Sequence, residues 1–295
     1  VPVAGIFHSN NNDINNQQTM TMNKIYTFML SALMAIALVS CGSNDETDTP
    51  QPAPVGPKRV FTKVPKSIAG SEFKTDASGR LIGLSGSSEA YAYTLDYNTK
   101  ANKGKNEPDV VITQTEDGVI GTITRVFLNE KGYVKHAEMQ QYDKDKKPYP
   151  PYSYDLTYNA DDHIETVIET DKNGKSITTI SYKDGDIVSC ADKIGTETRT
   201  YVTHYTSKEV TTPIVNKGGL MFYSFFGVDV DDLDIAYYAG MLGKPTRHLP
   251  LGYSWNGKKQ NTVTWKLDKE GYPIQYKEVD HSEKDDTAIG AIVWQ

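Results

Sequence analysis

The chain has 295 residues, with 31 Lys+Arg against 38 Asp+Glu and a formal net charge of −7. A hydrophobic fraction of 38% with 23% charged residues is that of an ordinary globular chain, and it excludes disorder, a collagen-like polymer and a multi-spanning helical membrane protein. The acidic balance gives no support for nucleic-acid binding, which needs a basic face, and two cysteines, Cys41 and Cys190, exclude a disulfide scaffold or a Cys-x-x-Cys site.

Residues 1–21 are rich in Asn and Gln, show no apolar period, and read as an upstream extension of a start at Met22 or Met20. Residues 22–40 read as a lipoprotein signal peptide. Lys24 supplies its positive charge, and Ile25 to Val39 is apolar apart from Thr27 and Ser31. That run suits a signal core and falls short of the ~20 apolar residues of a membrane span. It ends in Leu38-Val39-Ser40-Cys41, the spacing of a bacterial lipobox, where cleavage leaves the cysteine to be acylated. Cys41 is therefore the expected lipidation site, and a lipid anchor the expected membrane contact. Residues 41–58 contain Pro50, Pro52, Pro54 and Pro57 and too little apolar surface to fold, which predicts an extended tether.

Residues 59–295 predict one β-rich domain. Tyr91, Tyr93, Leu95 and Tyr97 alternate, as do Tyr152, Tyr154, Leu156 and Tyr158, and Tyr272, Ile274 and Tyr276. A period of two puts each set on one face of a strand, and about a dozen such runs are present. Short polar turns join them in a recurring unit, an aromatic or apolar strand end, Asn/Asp/Lys residues, a Gly, then an apolar restart. Copies lie at 73–81, 127–134, 182–187 and 267–272, with a glycine-free variant at 158–164. A helix is expected from Asp229 towards Gly243 and Pro245, with Val230, Leu233, Tyr237 and Met241 on one face. Before it, Leu220–Phe226 is the most apolar run of the domain, so 219–242 is expected to cover the inner face of the sheet or plug a half-closed barrel. The fold class is therefore mainly β, an antiparallel curved meander or barrel-like sheet with one helical segment packed on or into it.

The run Leu128–Val134, the segment Leu233–Gly252 and the closing Val263–Ile274 resemble Bacteroidetes lipoproteins of an uncharacterised domain family described as having a porin-like fold. The resemblance covers roughly residues 60–295. It implies an antiparallel, barrel-like sheet in a secreted lipoprotein and brings no catalytic residues. Gly42-Ser43-Asn44-Asp45-Glu46, small and then acidic, looks like the Bacteroidetes signal for export to the cell surface, with the periplasmic face as the alternative.

Motifs for chemistry are sparse. His136, His163, His204, His248 and His281 show no metal-ligand spacing, and a calcium loop begun at Asp229 fails at its sixth and twelfth positions, which hold Asp234 and Gly240. Nucleotide-binding glycine motifs and a nucleophile elbow are missing, so no catalytic residue, cofactor or metal is assigned. Cys190, at a strand end, reads as a small buried hydrophobe. Asp286-Thr287-Ala288 matches the Asp-Thr-small pattern used for O-glycosylation in Bacteroidetes, with a simple turn as the alternative. The 19 tyrosines remain. Tyr149, Tyr152 and Tyr154, among prolines, are expected to form an exposed patch for a glycan, and Phe222 and Tyr223 are candidates for an apolar ligand. The function expected is a surface-anchored, non-enzymatic binding module for a glycan or other extracellular ligand. An envelope assembly or lipid-handling factor is the alternative, and a carbohydrate hydrolase the second.

Overall fold

The computed structural model describes residues 63–86, 91–100, 104, 106–230, 233–281 and 286–295. Cys41, the signal segment and the tether lie outside the described residues. Among the described residues, seventeen strands form one sheet: β1 (Pro65–Ile68), β2 (Ser71–Thr75), β3 (Leu81–Ser85), β4 (Tyr91–Tyr97), β5 (Val110–Glu116), β6 (Val119–Leu128), β7 (Val134–Gln141), β8 (Tyr152–Tyr158) and β9 (Ile164–Asp171) come first. They are followed by β10 (Gly174–Lys183), β11 (Asp186–Ile194), β12 (Glu197–Thr203), β13 (Tyr253–Trp255), β14 (Lys258–Lys259), β15 (Asn261–Leu267), β16 (Pro273–Asp280) and β17 (Asp286–Trp294).

Each strand pairs antiparallel with its sequence neighbour from β1 to β14 and from β15 to β17, and β17 returns to β1. β14 and β15 act as one interrupted strand. Gln260 N–H donates to the Tyr253 carbonyl (2.9 Å) and Val263 N–H to the Leu251 carbonyl (3.0 Å), which carries the pairing past the break and joins the ends of the meander. The result is a nearly closed barrel with two ends. One, the plug end, carries the turns at 76–80, 129–133, 159–163, 184–185 and 268–272. The mouth carries those at 117–118, 172–173, 195–196 and 256–257 and the 142–151 connection.

The recurring turn has a chemical explanation. Asp76, Asn129, Asn159 and Asp268 each accept, on one side-chain oxygen, the N–H groups two and four residues on, at 2.9–3.0 Å. Asp143 does the same at the mouth, at 2.8–2.9 Å. The fourth residue takes positive φ in every copy: Gly79, Gly132 and Gly271, but also Asp162 (φ 70) and Lys146 (φ 61). Glycine is favoured there because it has no Cβ to clash, and the Asp162 copy shows that it is not obligatory. The 182–187 copy is a different object, a two-residue turn at Asp184-Gly185 with both φ values positive, the mirror-image geometry that matches strand twist.

Strand alternation sorts the side chains. Leu95, Ile112, Met139, Leu156, Val167 and Ile180 point inward and are buried. Outward rows carry charge: Arg125 meets Glu138 at 3.1 Å and His136 meets Asp155 at 2.7 Å on the outer wall of β6–β8. A lipid-embedded barrel is apolar outside and polar inside, and this wall has the opposite polarity.

Residues 204–252 turn into the barrel from the plug end. Leu220, Met221, Tyr223, Phe225, Phe226, Val228, Leu233, Ile235, Tyr237, Met241 and Leu242 are all buried within it. The expected long helix is not formed. A 3-10 turn at Tyr223–Phe226 and a five-residue helix α1 (Asp234–Tyr238) take its place. Inside a barrel the segment is enclosed on all sides, so no single apolar stripe is selected. Its polar groups bond across the plug instead: Tyr223 OH donates to the Leu242 carbonyl (3.1 Å), Tyr238 OH to that of Met221 (3.1 Å), and Tyr237 OH to that of Gly219. α1 ends at Gly240, not at Gly243. Met241 N–H reaches the Ala236 carbonyl and Gly240 N–H that of Tyr237, both at 2.8 Å, with Gly240 left-handed (φ 79). Val134, Lys244 and Arg247 then stitch the plug to the turns through main-chain bonds of 2.8–3.0 Å, and Asp186 holds both the amide and Nδ1 of His248 (2.8 and 2.6 Å).

Candidate functional site

The plug fills the barrel from one end, so the inner wall nearer the mouth is where half-buried side chains such as Tyr93, Tyr152 and Tyr201 border the apolar core. Its lining follows from register. Tyr93 of β4 pairs with Gln114 of β5, Gln114 with Thr122 of β6, and Thr122 with Gln141 of β7. Paired residues in a sheet share a face, so these four form a row across four strands. Gln141 Nε2 extends it by donating to Tyr152 OH on β8 (3.0 Å). Tyr91, two residues before Tyr93, meets it edge to face at 5.3 Å with the hydroxyls 2.7 Å apart. This arc is aromatic and uncharged, with amide and hydroxyl groups between the rings.

The facing arc is charged. Asp192 of β11 pairs with Thr178 and Arg199, and accepts from Thr178 Oγ1 at 3.4 Å. The Arg199 guanidinium sits 5.5 Å from the centre of the Trp255 ring. Tyr201 and Tyr253 meet edge to face at 5.3 Å above Gly227, whose missing Cβ leaves room for both rings. Glu278 and Asp280, on the inner face of β16, are buried, and Asn261 Nδ2 donates to Glu278 at 2.8 Å. Asn261 cannot present its oxygen there, because that atom already accepts the Tyr253 N–H at 2.9 Å. Burial pushes the Glu278 carboxyl up to about 7 against the Asn261 hydrogen bond, and Asp280 adds to the rise. Burial also raises Asp192. Among the described residues, no group of three His, Cys, Asp or Glu is placed to hold a metal ion.

The residues singled out in the sequence fall in three places. Tyr149 is 52% exposed, on the mouth-end connection between β7 and β8. Tyr152 is half-buried in the uncharged arc, and Tyr154 is 1% exposed, so the three do not form one exposed patch. The cause is the alternation itself: Tyr152 and Tyr154 face inward, while Tyr149 precedes the strand. Phe222 and Tyr223 belong to the plug. Phe222 packs on Phe225, Trp265 and Tyr276 with ring centres 4.9–6.3 Å apart, and Tyr223 is 1% exposed. Cys190 is fully buried, and burial pushes its thiol up to about 12. Tyr91 and Tyr93 were legible as an alternating pair, but Gln114, Gln141, Arg199 and Glu278 were not. For Glu278 the usable signal was its phase with Tyr276 along β16.

A family model described as a domain of unknown function (DUF4595) with porin-like fold matches residues 73–278. Among solved structures, a porin-like protein from Bacteroides uniformis aligns with a TM-score of 0.52 at 20% identity, covering 76% of this chain and 89% of that one. A porin-like protein from Bacteroides vulgatus aligns at 0.47 and 13% identity, over 78% of this chain and 97% of that one. No curated protein matches. These likenesses speak to the fold alone.

Proposed function

We propose, from the premise that this chain belongs to the domain family of unknown function with a porin-like fold, that it is an envelope lipoprotein whose barrel mouth binds a glycan without turning it over. The observation that carries the reading is the uncharged arc. Tyr91, Tyr93 and Tyr152 offer ring faces and edges and Gln141 an amide on the same wall, with the buried Gln114 and Thr122 behind them. Sugars present apolar C–H faces and rings of hydroxyls, and such a wall meets both. The direction of the chain supports it as well. Lys63 lies at the plug end, 4.8 Å over the Tyr272 ring, so a tether from Cys41 joins the barrel away from the mouth. On this reading Cys41 carries the lipid, and the domain stands on the cell surface. The plug, which holds the apolar-ligand candidates Phe222 and Tyr223, is packed through, with Phe226 and Tyr237 1% exposed, which weighs against lipid handling.

The test has two arms. Protease accessibility on intact cells, compared with Cys41→Ala, is expected to show a cell-bound, accessible domain that the variant releases. A panel of extracellular polysaccharides titrated into the protein is expected to quench tyrosine or tryptophan fluorescence for at least one member. Protection until the outer membrane is opened overturns the surface reading, and silence across neutral and acidic polysaccharides overturns the glycan.

A further inference from the structure

β17 runs on past the strands beside it. β1 pairs with Ile292, Val293 and Trp294, and Ala69 N–H reaches the Ala291 carbonyl at 2.8 Å; there β1 turns back. Among the described residues, Thr287–Gly290 therefore pair with β16 alone. An open edge is a template for another strand, and proteins guard it with lysine, proline or a bulge. This one has none of these between Thr287 and Gly290, and its outward row exposes Ile289 (49%). At its start stands Thr287, exposed, with its N–H donating to Asp286 Oδ1 (2.8 Å) and its hydroxyl without a hydrogen-bond partner among the described residues. Asp286-Thr287 is the one Asp-Thr or Asp-Ser step between residues 63 and 295, and a small residue, Ala288, follows it. Other outward threonines such as Thr94 and Thr262 follow Tyr93 and Asn261.

We propose that Thr287 is an O-glycosylation acceptor and that its glycan covers the open edge of β17. The donor is an oligosaccharide activated as a lipid-linked glycosyl diphosphate. Thr287 Oγ1 forms the bond to the anomeric carbon, the carbon–oxygen bond to the diphosphate breaks with its electron pair leaving on the diphosphate, and the hydroxyl proton passes to a base of the transferase. The donor is met in the envelope, so the proposal rests on the export reading above. The sugar supplies the guard that the strand lacks, since a branched, hydrated group beside Thr287 obstructs a second strand.

The experiment is intact-mass analysis of the full chain expressed with its signal segment in a Bacteroides host, alongside Thr287→Ala, Thr287→Ser, Asp286→Ala and Thr262→Ala. The wild type, Thr287→Ser and Thr262→Ala are expected to be heavier than the sequence by whole sugar residues, and Thr287→Ala and Asp286→Ala are not. Sedimentation is expected to show Thr287→Ala associating and Thr287→Ala/Ile289→Lys monomeric. A mature chain that begins at acylated Cys41 and carries no sugar overturns this proposal while supporting the anchor. An uncleaved, sugar-free chain overturns both. A mass increase that persists in Thr287→Ala overturns the acceptor, and a monomeric, sugar-free Thr287→Ala overturns the covering of the edge.

Discussion

Glu278 holds a carboxyl on the inner face of β16, buried and bonded by the Asn261 amide. Its folded value of about 7 lies above the ordinary 4.5, so folding favours the protonated form. Stability from this group is fully present below pH 4.5 and is lost as pH rises through about 7, a loss of about 3 kcal/mol. Glu278→Gln keeps the hydrogen-bonding shape without the charge. It is expected to raise the urea midpoint at pH 8 and to leave it nearly unchanged at pH 4.5, which paired denaturation curves would check. The sequence showed Glu278 only as one charge in a strand. That it faces inward follows from its phase with buried Tyr276, whereas its neighbour Lys277 points to solvent. That the interior is dry enough to hold its proton follows from the barrel closing over it, which no local pattern carries.

At the scale of elements, the turns were the most legible feature and the plug the least. An Asn or Asp bonding its own backbone is a local event, so the motif at 127–134 announces its geometry. Asn129→Ala removes the acceptor of two N–H groups, at 2.9 and 3.0 Å, and is expected to cost about 1–2 kcal/mol, with Asn129→Asp nearly neutral by the same assay. Gly243 is the stricter position. Its φ is 75, and a Cβ there would stand 2.3 Å from the Asp162 carbonyl oxygen, so Gly243→Ala must either move the plug or the turn. A loss of about 2 kcal/mol or more is expected, with early hydrogen exchange at Val134 N–H, the neighbouring bond to the plug. The long helix expected over 229–243 failed for a reason outside the segment. Amphipathic spacing presumes one wet face, and residues enclosed by strands have none.

At the scale of the molecule, the seventeen strands among the described residues form an up-and-down antiparallel barrel with a membrane barrel's polarity reversed over the plugged part, apolar within and charged without. Residues 59–295 carrying Ile289→Lys, which guards the open edge of β17 without a sugar, are therefore expected to stay monodisperse without detergent, as light scattering would show. Tyrosine alternation revealed the wall but not the site. Which tyrosines line the mouth depends on strand direction and on how far the plug advances, and both are set by contacts between residues far apart in sequence. So Tyr154, one step along the same face from Tyr152, is core, while Tyr91 and Tyr93 stand at the mouth.

The measurement that tests the central claim most directly is polysaccharide affinity of Tyr93→Ala compared with Tyr149→Ala, each checked for unchanged thermal unfolding. Loss of one stacking ring at the mouth is expected to weaken binding roughly ten-fold, corresponding to about 1.4 kcal/mol, while loss of the exposed Tyr149 leaves affinity as it was. Binding that survives Tyr93→Ala and disappears in Tyr149→Ala would place recognition on the outer connection and contradict the mouth as the site.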